Sequence, residues 1–345
     1  QEGLGGIPGK ITSSPASHLS VLCNQMVNFL GIMQNEWAGA QAFSSFDTYL
    51  APFIKADNLK YEDVKKSIEA FIYGVNTPSR WGTQAPFSNI TLDWTVPNDL
   101  AELPAIVGGQ EMDFKYKDCK PEMDMINRAF LETMIEGDAN GRGFQYPIPT
   151  YSITGEFDWS ETENNKLLFE MTAKYGTPYF SNYINSDMEP SDVRSMCCRL
   201  RLDLRELRKK SGGFFGSGES TGSVGVVTIN MPRIAYLSAN KEEFYKKLDR
   251  MMDISARSLK IKRGVIRKLL DEGLYPYTKR YLGTFDNHFS TIGIIGMNEV
   301  GLNARWLGED MSSEATQAFS KEVLNYMRER LADYQEEYGD LYNIN

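Results

Sequence analysis

From residue 17 to residue 53 apolar side chains recur every three or four positions, at Leu19, Leu22, Cys23, Met26, Phe29, Leu30, Met33 and Trp37. That spacing keeps one face of a helix apolar, and Ser14 with Pro15 supplies a start signal, so the pattern predicts a long opening helix. The same period predicts helices over 61–73, 120–136 and 241–274, and a shorter one over 169–175. A last helix over 313–338 carries Phe319, Val323, Met327, Leu331 and Tyr334 on one stripe. Alternation over 87–94 predicts a short strand, and 178–183 reads as extended. Residues 144–154 are also extended, because Pro147 and Pro149 exclude a helix and confine the segment to a sheet edge or to the start of a strand. Two apolar runs, 224–237 and 291–297, read as strands, the first buried on both faces. Buried strands alternating with long helices predict an α/β core with parallel strands. The chain reads as one domain without repeats or a linker, mainly helical over 1–140 and built of strands, a cysteine loop and helices over 141–345.

Composition narrows the function classes. Of the 345 residues 41% are hydrophobic and 12% aromatic, enough for a substantial core. The net charge of −9 argues against a broad phosphate-binding face, so neither DNA nor RNA is an expected partner, whereas a free nucleotide needs only a local pocket. No apolar run reaches the roughly 20 residues that span a bilayer, and the start lacks a basic region followed by an apolar one. The expectation is a cytoplasmic protein without a membrane partner. Cys23, Cys119, Cys197 and Cys198 show no framework spacing, which favours reduced thiols. The missing initiator Met and the abrupt end after Asp340 suggest a piece of a longer chain.

Most candidate motifs have a plain structural reading. The glycine-rich loop 212–223 lacks the Gly-Lys-Ser/Thr of a phosphate cradle, carries Thr221 where a dinucleotide fingerprint needs its third glycine, and precedes a strand; it reads as a surface hairpin or flap. The run from Asp138 to Gly143 resembles the start of a calcium loop, but Arg142 stands at a ligand position, so a turn is expected. A hydrolase nucleophile needs a histidine base, and only two histidines exist. His18 lies at a helix start and reads as a cap or packing residue. His288, ahead of a strand, is the better site candidate. The adjacent pair Cys197 and Cys198 cannot readily chelate one zinc, and no second pair exists. Either the two are small buried hydrophobes, or one is a radical or redox thiol at a loop tip; in extended chain neighbours face opposite ways, so only one would reach a substrate.

Several segments together resemble the anaerobic (class III) ribonucleoside-triphosphate reductases of the glycyl radical enzyme superfamily. They are Asn35-Glu-Trp-Ala-Gly-Ala-Gln-Ala-Phe-Ser-Ser-Phe-Asp47, Pro78-Ser-Arg-Trp-Gly82 with Pro86-Phe-Ser-Asn-Ile-Thr91, Tyr146-Pro-Ile-Pro-Thr-Tyr151, Ser195-Met-Cys-Cys-Arg199, Gly222-Ser-Val-Gly-Val-Val-Thr-Ile-Asn-Met-Pro-Arg233 and Ile292-Gly-Ile-Ile-Gly-Met-Asn-Glu299. Any one is weak, and as a set in family order they are specific.

The resemblance implies an α/β fold of the glycyl radical type, a ten-stranded barrel of two antiparallel five-stranded halves with a cysteine-bearing finger loop inside. It implies reduction of ribonucleoside triphosphates to 2′-deoxyribonucleoside triphosphates for DNA synthesis. In the family pattern the thiyl-forming cysteine directly precedes an Arg, which selects Cys198 over its neighbour Cys197. Asn230, on the strand after the finger loop, would hydrogen-bond the ribose hydroxyls. Gly296, Met297, Asn298 and Glu299, at the end of the next strand, would bind substrate, with backbone N–H groups from Gly296 to Asn298 holding phosphates; Tyr146 and His288 are further substrate-site candidates. The segment 35–47, on the long opening helix, resembles the region used for dimer packing and allosteric nucleotide binding.

The family also has parts that these 345 residues do not carry: a second barrel cysteine, a C-terminal segment with the radical glycine and a four-cysteine zinc site, and commonly an ATP-binding regulatory domain. The implied cofactors are thus a glycyl radical on another segment, installed by an S-adenosylmethionine/4Fe-4S activase, a structural zinc there, and ATP and dNTP effectors. Implied partners are the ribonucleoside triphosphates, the radical-SAM activase, formate or a thioredoxin-like reductant, and a second copy in a homodimer. By itself the chain is expected to be inactive. Two alternatives stay open: a glycyl radical enzyme of the pyruvate formate-lyase type, where adjacent cysteines are also used, and a non-catalytic nucleotide-binding protein derived from the barrel.

Overall fold

The computed structural model describes residues 4–78, 84–184, 193–195, 201–203 and 221–345. They divide into two compact units, Gln1–Gly213 and Phe214–Asn345.

The first unit opens with α1 (Leu19–Met33), which stops well before residue 53. Asn35 ends it: its side-chain Nδ2 donates to the carbonyls of Gly31 and Ile32 at 3.2 and 3.0 Å, satisfying acceptors that a continuing helix would bond itself. The chain then forms β1 (Gln41–Phe43) and restarts as α2 (Phe46–Asp57), so the single opening helix is two helices and a strand. After α3 (Tyr61–Asn76) come β2 (Ser88–Leu92), α4 (Asn98–Ala101), the hairpin β3 (Pro104–Val107) and β4 (Gln110–Lys115), and α5 (Lys120–Glu136). Then follow β5 (Ile148–Ile153), α6 (Glu163–Tyr175), β6 (Tyr179–Asn182), and a short antiparallel pair, β7 (Val193–Ser195) and β8 (Arg201–Asp203).

Four of these strands form a parallel sheet in the order β1-β2-β5-β6. The proline-bearing β5 is therefore an interior strand and not an edge. Pro149 is tolerated because it lies at the strand's start: it faces Ile90 of β2, and β6 pairs only from Thr150 onward. Leu30, Ile68, Phe71, Ile126 and Phe130 pack with Ile90, Leu92 and Tyr151 in one apolar core. Burying each such side chain contributes about 1.5–3 kcal/mol.

The second unit runs β9 (Gly222–Asn230), α7 (Met231–Tyr236), α8 (Lys241–Asp271), α9 (Pro276–Tyr281), β10 (His288–Ile295), α10 (Met297–Asn303), α11 (Glu314–Tyr338) and β11 (Leu341–Ile344). Its strands are parallel in the order β11-β10-β9. The strand expected over 224–237 ends at Asn230, whose Oδ1 accepts the backbone N–H of Arg233 at 3.1 Å and starts a helix with Pro232 in its first turn. Nor is β9 covered on both faces: Val224 and Ile229 are buried, whereas Val226 is 52% exposed. The helices α8 and α11 cover the other face, with Phe244, Leu248, Met252, Val323 and Met327 against Ile229 and Ile292.

One buried charge ties the first unit together. Asp47, in the first turn of α2, is 0% exposed. Its Oδ1 accepts the backbone N–H groups of Thr48 and Asp93 at 3.1 and 2.8 Å, and its Oδ2 accepts those of Trp94 and the Asn127 side chain, each at 2.9 Å. Burial raises its pKa, and the four N–H donors oppose that rise by favouring the carboxylate. The bonds hold the turn after β2, in which Trp94 has a φ of 63°, against α2 and α5. Asp47→Ala would take away the acceptor of three buried backbone N–H groups and one of the two acceptors of the Asn127 amide, which keeps its bond to the Met123 carbonyl at 3.1 Å. We expect it to destabilise the chain by about 3–5 kcal/mol in urea unfolding, with Asp47→Asn costing less; a loss below about 1 kcal/mol would contradict this role.

Candidate functional site

Parallel pairing puts the carboxyl ends of β9 and β10 side by side, with Asn230 and Ile295 as register partners. Each strand turns directly into a short helix, β9 into α7 and β10 into α10. Gly296 makes the second turn possible. It has a φ of 82°, and a Cβ there would lie 2.4 Å from the Pro232 ring, so only glycine lets the two strand ends approach this closely.

The side chains at this edge are partly engaged. Asn230 is exposed and caps α7 through Oδ1, while its Nδ2 has no partner among the described residues. Asn298 accepts the Met311 backbone N–H through Oδ1 at 3.0 Å, and its Nδ2 is 3.3 Å from Glu299 Oε1. Asn303 donates to the Pro232 carbonyl at 3.4 Å, joining α10 to α7. Asn230, Gly296, Met297, Asn298 and Glu299 thus form one cluster carrying an amide donor, a carboxylate and the backbone N–H groups of a helix start. Such a set can bond hydroxyl groups and an anionic group together.

The other candidates lie elsewhere. His288 stands at the opposite end of β10, seven residues from Ile295, or about 23 Å along an extended strand. It is buried beside Phe285, its Nδ1 has no partner among the described residues, and burial with the nearby Arg263 guanidinium pushes its pKa down to about 4. Tyr146 belongs to the first unit, just before β5. Asn76 holds its backbone there, accepting the Gln145 and Tyr146 N–H groups at 3.1 and 3.0 Å and donating to the Tyr146 carbonyl at 2.6 Å. Cys197 and Cys198, with the loop 212–220, lie outside the described residues. His18 begins α1 and pairs with Asp57 at 2.8 Å. The Asp138 segment is a turn, its carboxylate bonding the N–H groups of Asn140 and Arg142. Cys23 and Cys119 are buried free thiols, and burial raises both to about 12. The described residues contain no group of three His, Cys, Asp or Glu side chains able to share a metal, and no helix long and apolar enough to cross a membrane.

Arg263 was not among the expected residues. Only 1% exposed, it donates to the carbonyls of Phe285 and His288 at 2.9 and 2.7 Å and to Ser290 Oγ at 3.1 Å, with Asp340 at 3.6 Å. It fixes the amino end of β10 to α8 and so sets the strand whose other end carries the cluster. Its signal was a cation on the apolar stripe of α8, between Leu259 and Leu270.

Against known proteins, the family model described as anaerobic ribonucleoside-triphosphate reductase matches residues 1–345. The chain belongs to that family. Among solved structures it is similar to the anaerobic ribonucleotide reductase from Thermotoga maritima with citrate in the active site, at 21% identity and a TM-score of 0.75, over 97% of this chain and 60% of that one. It is similar to the same organism's enzyme with dATP bound in the specificity site, at 21% identity and a TM-score of 0.75, over 99% of this chain and 57% of that one. The complex of that enzyme with dATP and CTP gives 21% identity, a TM-score of 0.73 and the same coverages. At such identity the likeness establishes a shared mixed α/β fold, and the chain spans less than two thirds of the structures it matches. No curated protein matches it significantly.

The burial of His288 has a measurable consequence. The unfolded chain binds a proton there near the ordinary value of 6.5 and the folded chain only near 4, so the unfolded state holds more protons between those values. Stability from this group is complete above about pH 6.5 and lost as the pH falls toward 4, by roughly 3 kcal/mol in all. Urea unfolding at pH 7.0 and 4.5 should show a larger acid loss for the natural chain than for His288→Phe. Equal losses would mean that His288 titrates normally.

Proposed function

We propose that this chain is the catalytic-barrel part of an anaerobic ribonucleoside-triphosphate reductase, which converts ribonucleoside triphosphates into their 2′-deoxy counterparts. The observation that carries the reading is the family match along all 345 residues. The four- and three-stranded parallel sheets, each backed by helices, are consistent with parts of a ten-stranded barrel. The same match favours a reductase over an enzyme of the pyruvate formate-lyase type.

In this reading the substrate lies at the carboxyl ends of β9 and β10. The open Nδ2 of Asn230 and the Glu299 carboxylate bond the ribose hydroxyls, and backbone N–H groups from Gly296 to Asn298 receive the phosphate end. Glu299 at the start of α10 disfavours a phosphate beside it, which places the hydroxyls, and not the phosphates, next to that side chain. Cys198 is the residue that reacts. Its thiyl radical takes the ribose 3′ hydrogen, forming S–H as C–H breaks; the 2′ hydroxyl leaves as water with a proton; two electrons and a proton from the reductant complete the 2′ C–H bond; and the 3′ hydrogen returns from sulfur. The family's glycyl radical would supply the oxidation, accepting the hydrogen atom that leaves the Cys198 thiol. The radical-SAM activase, formate or a thioredoxin-like reductant, ATP and dNTP effectors and a homodimeric partner belong to the same proposal, as does the structural zinc of the family's C-terminal segment.

The test uses the reductase that contains this chain, activated and supplied with reductant under anaerobic conditions. Cys198→Ser should abolish deoxynucleotide formation and leave ribonucleoside-triphosphate affinity within about twofold, since a hydroxyl of similar size cannot carry the radical. Retained turnover would overturn the assignment of Cys198.

A further inference from the structure

Asn298 and Glu299 follow one another on α10, yet their side chains meet, with Asn298 Nδ2 3.3 Å from Glu299 Oε1. Successive residues of a helix point about 100° apart and do not face each other, so the helix alone does not produce this contact. The segment 304–313, between α10 and α11, supplies the cause. It lies directly against α10: the Gly308 N–H donates to the Gly301 carbonyl at 3.1 Å, and a Cβ at Gly301 would run into the Glu309 carbonyl oxygen. Helix α11 holds the segment as well, Thr316 Oγ1 donating to the Glu309 carbonyl and Gln317 Nε2 to the Met311 carbonyl, each at 2.9 Å.

So supported, Met311 presents its backbone N–H to Asn298 Oδ1 at 3.0 Å. That bond decides which way the amide points. With Oδ1 on the N–H donor, Nδ2 faces the Glu299 carboxylate; turned over, the amide would set N–H against N–H and oxygen against a charged oxygen. The amide bond engages one carboxylate oxygen, Oε1. The other, Oε2, lies back over the turn between β10 and α10, 3.2 Å from where a Gly296 Cβ would stand, a point that also falls on the Pro232 ring. The carboxylate is therefore held over the junction of the two strand ends, with Oε2 turned toward Gly296.

We infer that Asn298 is a positioning residue: its side chain does not touch substrate but aims the Glu299 carboxylate, and it takes its own orientation from Met311 and hence from α11. Its part in the reaction rests on the reading of this cluster as the substrate site. The two oxygens of Glu299 then have different tasks, Oε1 bonded to the protein and Oε2 left for a ribose hydroxyl. A glutamate side chain has several freely rotating bonds, and holding it before substrate arrives removes an ordering cost that binding would otherwise bear.

The test measures kcat/KM for a ribonucleoside triphosphate in the activated reductase that contains this chain, with Asn298→Ala, Asn298→Asp, Glu299→Ala and the pair Asn298→Ala with Glu299→Ala. Both residues are exposed, so the fold should survive each change. Asn298→Ala and Glu299→Ala should each lower kcat/KM by about tenfold or more, and the pair should stay within about twofold of Glu299→Ala, because a residue that acts only through Glu299 then has nothing to act on. Asn298→Asp separates aiming from anchoring: it still accepts the Met311 N–H but offers Glu299 no donor and repels it, and should be no more active than Asn298→Ala. Losses that multiply in the pair would show that Asn298 contacts substrate directly. Activity restored by Asn298→Asp, or an Asn298→Ala enzyme within about twofold of the natural one, would leave Asn298 a loop anchor only. Each of these overturns the inference and leaves the reductase reading standing, whereas an unaltered kcat/KM in Glu299→Ala would overturn the reading of the cluster and the inference together.

Discussion

Parallel strand pairing is the constraint on which both units depend. A parallel neighbour can be reached only by a crossover, so β2, β5 and β6 are separated by α5 and α6, and β9, β10 and β11 by α8 and α11. All carboxyl ends of a sheet then fall on one edge, where the chain turns from strand to helix or loop. There backbone N–H groups and short polar side chains face outward without disturbing the ladder. Asn230 with Gly296–Glu299, and Asp93–Asp99 with Ser152–Glu156, lie on the two edges so produced.

Each edge depends on one buried charge placed behind it. Asp47 holds the turn after β2 by four N–H donors, and Arg263 holds the far end of β10 by two carbonyls and a hydroxyl. Neither would be expected to raise stability over a well-packed apolar side chain, since removing a charge from water costs several kcal/mol. What they fix is geometry. Asp47 determines where Asp93 and Trp94 stand, and Arg263 sets the register from which β10 runs to Gly296. His288, caught beside Arg263, is neutral at neutral pH and belongs to this anchoring, far along the strand from the cluster that would hold substrate.

The helices over 120–136, 241–271 and 314–338 were legible because their apolar stripes are long and uninterrupted. The opening helix was misjudged because its apolar spacing continues through a break that Asn35 imposes by hydrogen bonding, which hydrophobic period does not register. The interior position of β5 was obscured by Pro149, whose harmlessness depends on where β6 begins to pair. Asn230 and Gly296–Glu299 could be marked from strand-end logic and the family resemblance together, and the structure places them side by side. Arg263 gave a weaker signal, a lone cation on an apolar helix stripe, because its partners at Phe285 and His288 meet it only through the packing of α8 on β10.

The most direct test of the central claim is hydrogen–deuterium exchange of the chain with and without a ribonucleoside triphosphate at saturating concentration. Binding at the carboxyl ends of β9 and β10 predicts slowed exchange of backbone N–H groups at 230–235 and 296–300, with the segment at 288 unchanged. Protection confined to other segments, or none at a concentration that saturates the complete reductase, would contradict the placement of the substrate site on this part of the chain.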